Sequence, residues 1–236
     1  MPSRSTLPEA LADILSQDMT MSQALRAYAD ELQRLNPGIA EAYVALIERL
    51  RRADAGASAP GVGDVFPEFA LPDQDGHLRR LGDFTAQGPT IVSINRGHWC
   101  PFCRIELDAL AKANARLERS GARTVSIMPD RQAFTKVVRE RGVPFPILSD
   151  IDAAYALELG LCFYIGDDLV RIFRGNGHQM PMFQGNDSWF LPIPATYVLD
   201  GQGRVAARMV DPDFRLNRMA VDEIAKAIVD MSADAK

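Results

Sequence analysis

The chain has 236 residues, of which 47% are hydrophobic and 24% charged, as expected for a globular protein with one main domain and an appendage. Its net charge is −5 and it has no basic block typical of a nucleic-acid-binding arm, so we expect no DNA or RNA partner. A signal peptide needs an uninterrupted apolar stretch, but the N-terminal residues of this chain include Glu9, Asp13 and Asp18, and no later apolar run reaches membrane length. We therefore expect a cytoplasmic protein without membrane contact.

Residues 1–60 are predicted to form an N-terminal helical extension that ends in a linker. Apolar residues recur at helical spacing in three runs, with a cap predicted at Ser22 before the second run and an Asn-Pro-Gly turn before the third. The apolar faces consist of Leu7, Leu11 and Ile14, then Leu25, Ala29 and Leu32, then Ile39, Tyr43, Leu46 and Leu50. Small residues, glycines and a proline over 53–63 indicate the linker.

Residues 61–236 are predicted to form an α/β domain. A hairpin is expected over 68–81, a buried β-branched strand over 89–95 and a helix from Pro101 onward. We expect a second strand over 122–128, helices over 130–142 and 153–160, a hairpin over 195–210 and a last helix over 219–231. This order, a parallel βαβ unit followed by an antiparallel pair and a helix, predicts a central mixed sheet flanked by helices.

Two cysteines, Cys100 and Cys103, enclose Pro101 and Phe102 where the buried strand meets the next helix. Cys100 is predicted at the helix cap and Cys103 in the first turn. Free amide hydrogens and the positive end of the helix dipole favour a thiolate on Cys100 there, and Arg96 offers a nearby cation. Because only two residues separate the sulfurs, Cys103 can close a disulfide with an oxidised Cys100. The pattern predicts a two-electron redox site.

Two other interpretations of the cysteine pair are less favoured. A zinc site normally needs four ligands, whereas this chain adds only Cys162 and three scattered histidines to the pair. Inert buried cysteines are common elsewhere, but the spacing and the strand-to-helix junction weaken that interpretation here. We therefore expect no metal and no other cofactor. We interpret Cys162, which lies among apolar residues, as a small core residue.

The stretch INRGHWCPFCRIEL, residues 94–107, resembles the arginine-glycine-x-tryptophan-cysteine-proline-x-cysteine signature of atypical peroxiredoxin-like proteins. These belong to the alkyl hydroperoxide reductase and thiol-specific antioxidant superfamily, and the stretches 63–84 and 192–205 are similar to its entry hairpin and late hairpin. The resemblance covers about 61–231 and implies a thioredoxin-like fold. It also implies that Cys100 is the peroxidatic cysteine, Cys103 its resolving partner and Pro194 the counterpart of the cis-proline loop that faces the redox pair.

The sequence departs from standard peroxiredoxins at two positions, since Ser93 and Gly97 stand where that family has a proline and a threonine. The threonine hydroxyl that helps to hold peroxide is therefore missing. Backbone amides at the helix start, together with Arg96, are expected to stabilise charge on the peroxide oxygens instead, with Arg104 and Arg218 as further candidate arginines. The candidate substrate-contacting residues are Gly97, Trp99, Pro101 and Pro194.

These features predict a thiol peroxidase that reduces hydrogen peroxide or organic hydroperoxides through a Cys100 sulfenate, which Cys103 resolves. A thioredoxin-like dithiol–disulfide oxidoreductase acting on protein disulfides is an alternative, and the missing threonine favours it. A non-enzymatic redox-sensing or binding module is a second alternative. The resemblance implies thioredoxin, glutaredoxin or glutathione as the reductant and a homodimer as the assembly. We expect the N-terminal helices to pack across a dimer or beside the active site.

Overall fold

The computed structural model describes residues 5–234 as ten α-helices, one short 3₁₀ turn and nine strands. The strands are β1 (Ala70–Pro72), β2 (Leu78–Arg80), β3 (Thr90–Ile94), β4 (Arg123–Met128), β5 (Ile147–Ser149), β6 (Cys162–Tyr164), β7 (Phe190–Pro192), β8 (Ala195–Leu199) and β9 (Val205–Val210). The helices are α1 (Leu7–Ser16), α2 (Met21–Leu35), α3 (Pro37–Arg52), α4 (Leu81–Thr85), α5 (Pro101–Arg119), α6 (Gln132–Glu140), α7 (Ala154–Glu158), α8 (Asp167–Gly175), α9 (Met180–Gln184) and α10 (Val221–Asp234).

A five-stranded mixed sheet with the strand order β5-β4-β3-β8-β9 forms the centre of the fold. Strand β3 pairs parallel with β4 and antiparallel with β8, and β4 pairs parallel with β5. Every residue of β3 is buried, as expected for a β-branched strand in the middle of a sheet covered on both faces. This strand leads directly to the cysteine pair.

The three N-terminal helices are set by side-chain caps. Thr6 caps α1 and forms a capping box with Glu9, and Asn36 caps α3 ahead of Pro37. Helix α2 is capped by Thr20, so the cap predicted at Ser22 was wrong by two residues. The Thr20 hydroxyl accepts a hydrogen bond from the Gln23 amide, and the Gln23 side-chain oxygen accepts one from the Thr20 amide. The two bonds together form a capping box.

The N-terminal helices share one hydrophobic core with the α/β part of the chain. Tyr28 of α2 meets the ring of Phe102 edge-on at 5.2 Å, and Tyr43 of α3 meets Phe214 at 5.0 Å. The stretch predicted as a linker is tied down as well, because Arg208 of β9 donates to two of its carbonyls at 2.6 and 2.8 Å. The helices are therefore packed beside the start of α5, which carries the cysteine pair.

Several short elements were not predicted. The polar, glycine-containing stretch 174–189 includes α9, and β5, β6 and β7 were not predicted either. The helix expected over 153–160 is reduced to the five residues of α7. Elements of three to five residues carry too little periodicity to be recognised, because neighbours elsewhere in the chain bury them. Within the described residues, no helix is long and apolar enough to cross a membrane.

Candidate active site

The cysteine pair lies at the junction between β3 and α5, and Cys100 is the N-cap of the helix as predicted. Pro101 takes the first helical position, where its missing amide hydrogen costs nothing. Both cysteines are free thiols, and Cys100 is 1% exposed and Cys103 fully buried. The backbone amide of Arg96 donates to the Cys103 sulfur at 3.4 Å. The junction therefore places two reduced sulfurs together in a site shielded from bulk water.

Arg96 is a fully buried cation, and no carboxylate among the side chains described for residues 5–231 forms an ion pair with it. Its guanidinium carbon lies 3.9 Å from the ring centre of Phe214 and 5.3 and 5.4 Å from those of Trp99 and Tyr43. Aromatic rings stabilise a cation but do not neutralise it. A negative charge on the Cys100 sulfur therefore balances the positive charge of Arg96 in this site.

The two thiols have opposite protonation preferences. Burial alone would raise the pKa of Cys100, but hydrogen bonds from Cys103 and the charges of Arg96 and Arg218 outweigh it and lower the pKa to about 6. Burial and the neighbouring Cys100 raise the pKa of Cys103 well above that of a free thiol. At neutral pH, Cys100 is thus a thiolate and Cys103 a protonated hydrogen-bond donor, which separates a nucleophile from a resolving thiol.

A second buried arginine, Arg218, lies on the far side of the pair and differs from Arg96 in having an acidic partner. Its Nε is 2.8 Å from the Glu106 carboxylate, both side chains are only 2% exposed, and its Nη2 lies 4.0 Å from the Cys103 sulfur. Glu106 also accepts hydrogen bonds from Ser93 at 3.1 Å and Thr196 at 2.7 Å. Ser93, at the position of the family's proline, thus anchors a buried ion pair.

Sequence reasoning missed Glu106. A signal was available, because Glu106 follows Cys103 by three residues on the same helix and so shares a helix face with it. An acidic residue on an otherwise apolar face indicates a buried partner.

Gly97 occupies a position that a threonine cannot take without rearrangement. Its φ of +139° is unfavourable for other residues, and a Cβ atom there would lie 2.5 Å from Trp99 Nε1 and 2.9 Å from Asp130 Oδ1. The indole of Trp99 therefore fills the space that a larger side chain at this position would need. The backbone and the Trp99 side chain thus both require glycine at this position. Without a threonine hydroxyl, a bound peroxide needs other hydrogen-bond donors.

The contacts of the two histidines near the site are with a carboxylate and with aromatic rings. The backbone amide and Nδ1 of His98 lie 2.6 and 2.9 Å from one carboxylate oxygen of Asp130, and its ring stacks on Phe134. His178 stacks on Phe173 at 4.6 Å and meets Trp99 edge-on at 5.8 Å. Burial and the charge of Arg96 lower the pKa of His178, so this ring is neutral at pH 7.

Pro194 is buried immediately before β8, the strand that pairs with β3. Residues 5–234 contain no cis peptide bond, so the peptide between Ile193 and Pro194, whose isomer the sequence leaves open, is trans. Trans is the favoured isomer before proline, and the Ile193 amide is fixed by a hydrogen bond to the Leu161 carbonyl at 2.8 Å.

In the part of the chain that the structure describes, Asp73, Asp75 and His77 are the three possible ligands that converge, and neither Cys100 nor Cys103 belongs to that group. The third cysteine, Cys162, lies half-buried on β6, so its interpretation as a core residue was wrong. A strand at the periphery of the fold leaves one side of that thiol accessible.

A cavity of about 390 Å³ lies beside the pair, between the N-terminal helices and the start of α5. Trp99 and Pro101, the neighbours of Cys100 in the chain, both form part of its wall, and Tyr28 and Tyr43 contribute from α2 and α3. The position of this cavity could not be predicted from the sequence. Helical periodicity identifies which face of a helix is buried, but not which element packs against that face.

Residues 62–208 match the family model described as the AhpC/TSA family. The chain is 34% identical over 104 residues to the thiol:disulfide interchange protein DsbE of Pseudomonas aeruginosa, a match that covers 42% of this chain and 55% of that protein. It is 27% identical over 100 residues to peroxiredoxin Bcp of Escherichia coli, covering 42% of this chain and 64% of Bcp.

The crystal structure of peroxidoxin BcpB from Mycobacterium tuberculosis matches the fold with a TM-score of 0.56 at 22% identity, covering 74% of this chain and 97% of that one. This likeness confirms the predicted thioredoxin-like fold. The chain matches only about half to two thirds of the length of the curated relatives. Helices α1, α2 and α3 lie outside the matched family region.

Proposed function

The chain belongs to the AhpC/TSA family, and we propose that it works as a thiol peroxidase with Cys100 as the nucleophile and Cys103 as the resolving thiol. The opposite protonation preferences of the two buried sulfurs carry this proposal. A thiolate is the species that attacks peroxides, and a neighbouring protonated thiol is the species that resolves the product. Hydrogen peroxide and organic hydroperoxides are the proposed substrates.

In the first step, the Cys100 thiolate attacks the distal oxygen of the hydroperoxide. The O–O bond breaks, the sulfur becomes a sulfenic acid, and the leaving oxygen takes a proton from solvent and departs as water or an alcohol. Negative charge develops on the leaving oxygen, and Arg96 with the amides at the start of α5 is positioned to stabilise it. Gly97, Trp99, Pro101 and Pro194 are proposed to shape the space around the reacting atoms.

In the second step, the Cys103 thiol attacks the Cys100 sulfur. An S–S bond forms, and the hydroxyl of the sulfenic acid leaves with the thiol proton as water. Two electrons from an external thiol then restore both cysteines, with thioredoxin, glutaredoxin or glutathione as the proposed reductant. Arg218, held by Glu106 and 4.0 Å from the Cys103 sulfur, keeps that sulfur in place for the attack.

The burial of the pair favours a small oxidant over a protein. Cys100 is 1% exposed beneath the N-terminal helices, so a small peroxide reaches it more easily than the disulfide of a folded protein does. A dithiol–disulfide oxidoreductase remains the second candidate, supported by the similarity to a protein named for thiol:disulfide interchange. We propose that residues 1–60 form a covering extension on a catalytic domain of 61–236.

The cellular location and the oligomeric state of the protein are also proposals. A cytoplasmic location suits an enzyme whose disulfide must be reduced in every cycle, because thiol reductants are abundant there. The homodimer implied by the family resemblance remains a prediction, to be checked by the mass of the protein in solution.

The sulfenic acid can be trapped directly in a Cys103→Ser, Cys162→Ser variant. One equivalent of hydrogen peroxide followed by dimedone should label Cys100 nearly completely, because the resolving thiol is gone and the accessible third thiol is removed. Intact-mass and peptide spectrometry measure the label. The same variant with Cys100→Ser added is the control and should stay unlabelled. If hydrogen peroxide leaves Cys100 a thiol, whereas the disulfide of a protein substrate converts Cys100 to a mixed disulfide and releases the other substrate sulfur as a thiol, the oxidoreductase is favoured instead.

A further inference from the structure

We infer that the cavity beside Cys100 binds organic hydroperoxides whose carbon skeleton carries an anionic group, and that Arg104 recognises this group. This inference rests on the proposed peroxidase function and specifies its substrate class. Hydrogen peroxide needs no such cavity, whereas about 390 Å³ lies in the range of sites that hold small organic molecules.

Part of the cavity wall comes from helices that lie outside the matched family region. Leu11, Tyr28 and Leu32, from α1 and α2, form one wall, and these helices precede residue 62, where the family match begins. Phe173 of α8 also lines the cavity. Aromatic and aliphatic walls favour a hydrocarbon or an aromatic ring over a polar ligand, because burying apolar surface is the main gain on binding.

The cavity is next to the reacting sulfur. Trp99 and Pro101, on either side of Cys100, both line it, so the sulfur lies just behind this wall. Arg104 follows Cys100 by four residues, and its amide donates to the Cys100 carbonyl at 3.0 Å in the first turn of α5. One helical turn is about 5.4 Å. A single small molecule can therefore place its hydroperoxide near Cys100 and another group near Arg104.

The charge of the cavity points to an anion. Its wall contains no aspartate or glutamate, and Arg104 is its one permanent cation within the described residues. The half-buried Arg104 side chain forms no ion pair with any carboxylate whose side chain is described, over residues 5–231. Arg141 lines a neighbouring depression together with Arg104, so a second positive charge is close by. A guanidinium without a protein partner at an apolar cavity is suited to bind a carboxylate.

Paired probes separate charge from size. The carboxylate probe is cumene hydroperoxide with a para-carboxylate, and its methyl ester is the neutral probe. Stopped-flow oxidation of the reduced full-length protein gives a second-order rate constant for each. We expect the carboxylate to react about tenfold faster than the ester, which corresponds to one charge-assisted hydrogen bond. Arg104→Gln should reduce this ratio to about one, whereas Arg171→Gln, on the exposed face of α8, should keep it.

A cavity-filling variant tests the apolar part independently. Leu11→Trp should lower the rate ratio of unsubstituted cumene hydroperoxide to hydrogen peroxide about tenfold, because the side chain occupies the space of the ring. Rapid oxidation by hydrogen peroxide with equal rates for acid and ester would overturn this inference and leave the proposed function standing, as would a ratio that survives Arg104→Gln. Slow oxidation by every hydroperoxide would overturn both.

Discussion

Replacing Arg96 with methionine should slow the oxidation of Cys100 by hydrogen peroxide about 100-fold at pH 7, while the free energy of unfolding stays equal or rises. Two losses add up. Without the Arg96 charge, the pKa of Cys100 rises from about 6, so less thiolate is present at pH 7. The leaving oxygen also loses its cationic stabilisation. Stability does not fall, because Cys100 takes up a proton when the Arg96 charge is gone, and no carboxylate among the described side chains forms an ion pair with Arg96 that would be left unpaired.

The pH dependence identifies the cause. The folded-state pKa of Cys100 lies below that of a free thiol, so the oxidation rate should rise with pH through a midpoint near 6 and then level off. The midpoint should move to higher pH in Arg96→Met. Arg174→Met is a matched control, since Arg174 also lies over an indole, that of Trp189, at 5.4 Å, but is exposed. An unchanged midpoint in Arg96→Met would refute the counter-charge role of Arg96.

Replacing the other buried arginine, Arg218, with methionine should instead lower the free energy of unfolding by about 3–5 kcal/mol, the usual cost of leaving one member of a buried ion pair alone. The Glu106 carboxylate would keep only the hydroxyls of Ser93 and Thr196 as partners. Urea unfolding of the reduced protein measures the change.

A double variant provides the control for this effect. Adding Glu106→Gln to Arg218→Met removes the uncompensated charge but keeps an oxygen that accepts from both hydroxyls, so most of the lost stability should return. If the double variant is as unstable as Arg218→Met, the loss comes from packing around the arginine and the electrostatic explanation is wrong.

The two arginines thus have different roles despite similar burial. Arg96 is compensated by a charge that exists only while Cys100 is a thiolate, so its effect falls on reactivity. Arg218 is compensated by a permanent carboxylate, so its effect falls on stability and on the position of Cys103. Both residues are buried cations, so charge and burial alone do not separate the role of Arg96 from that of Arg218. The difference is that only Arg218 pairs with a carboxylate.

Local sequence patterns predicted the parts of the site that depend on neighbouring residues. The β-branched run of β3, the proline after Cys100 and the helical spacing that follows are enough to place Cys100 at a helix cap. The pairing of Glu106 with Arg218 could not be predicted, because the two residues are far apart in the chain and meet only through tertiary packing. The sequence likewise revealed a glycine at the family's threonine position, but not that the Trp99 indole fills the space.

The sequence also does not determine whether the three N-terminal helices pack on their own chain or on another subunit. Periodicity identified the buried faces of α1, α2 and α3, yet a face at helical spacing is compatible with packing on another subunit or on the same chain. Their contacts with Phe102 and Phe214 decide this for the described residues. The cavity with Arg104 at its wall follows from that packing.

The rate of oxidation of the reduced protein by hydrogen peroxide tests the central claim most directly. Stopped-flow tryptophan fluorescence should give a rate constant at least about 100-fold above that of a free thiol, as expected for one prearranged cationic site. The fast phase should persist in Cys103→Ser and vanish in Cys100→Ser. A rate no higher than that of a free thiol, or a fast phase that survives Cys100→Ser, would contradict the assignment of Cys100 as a peroxidatic cysteine.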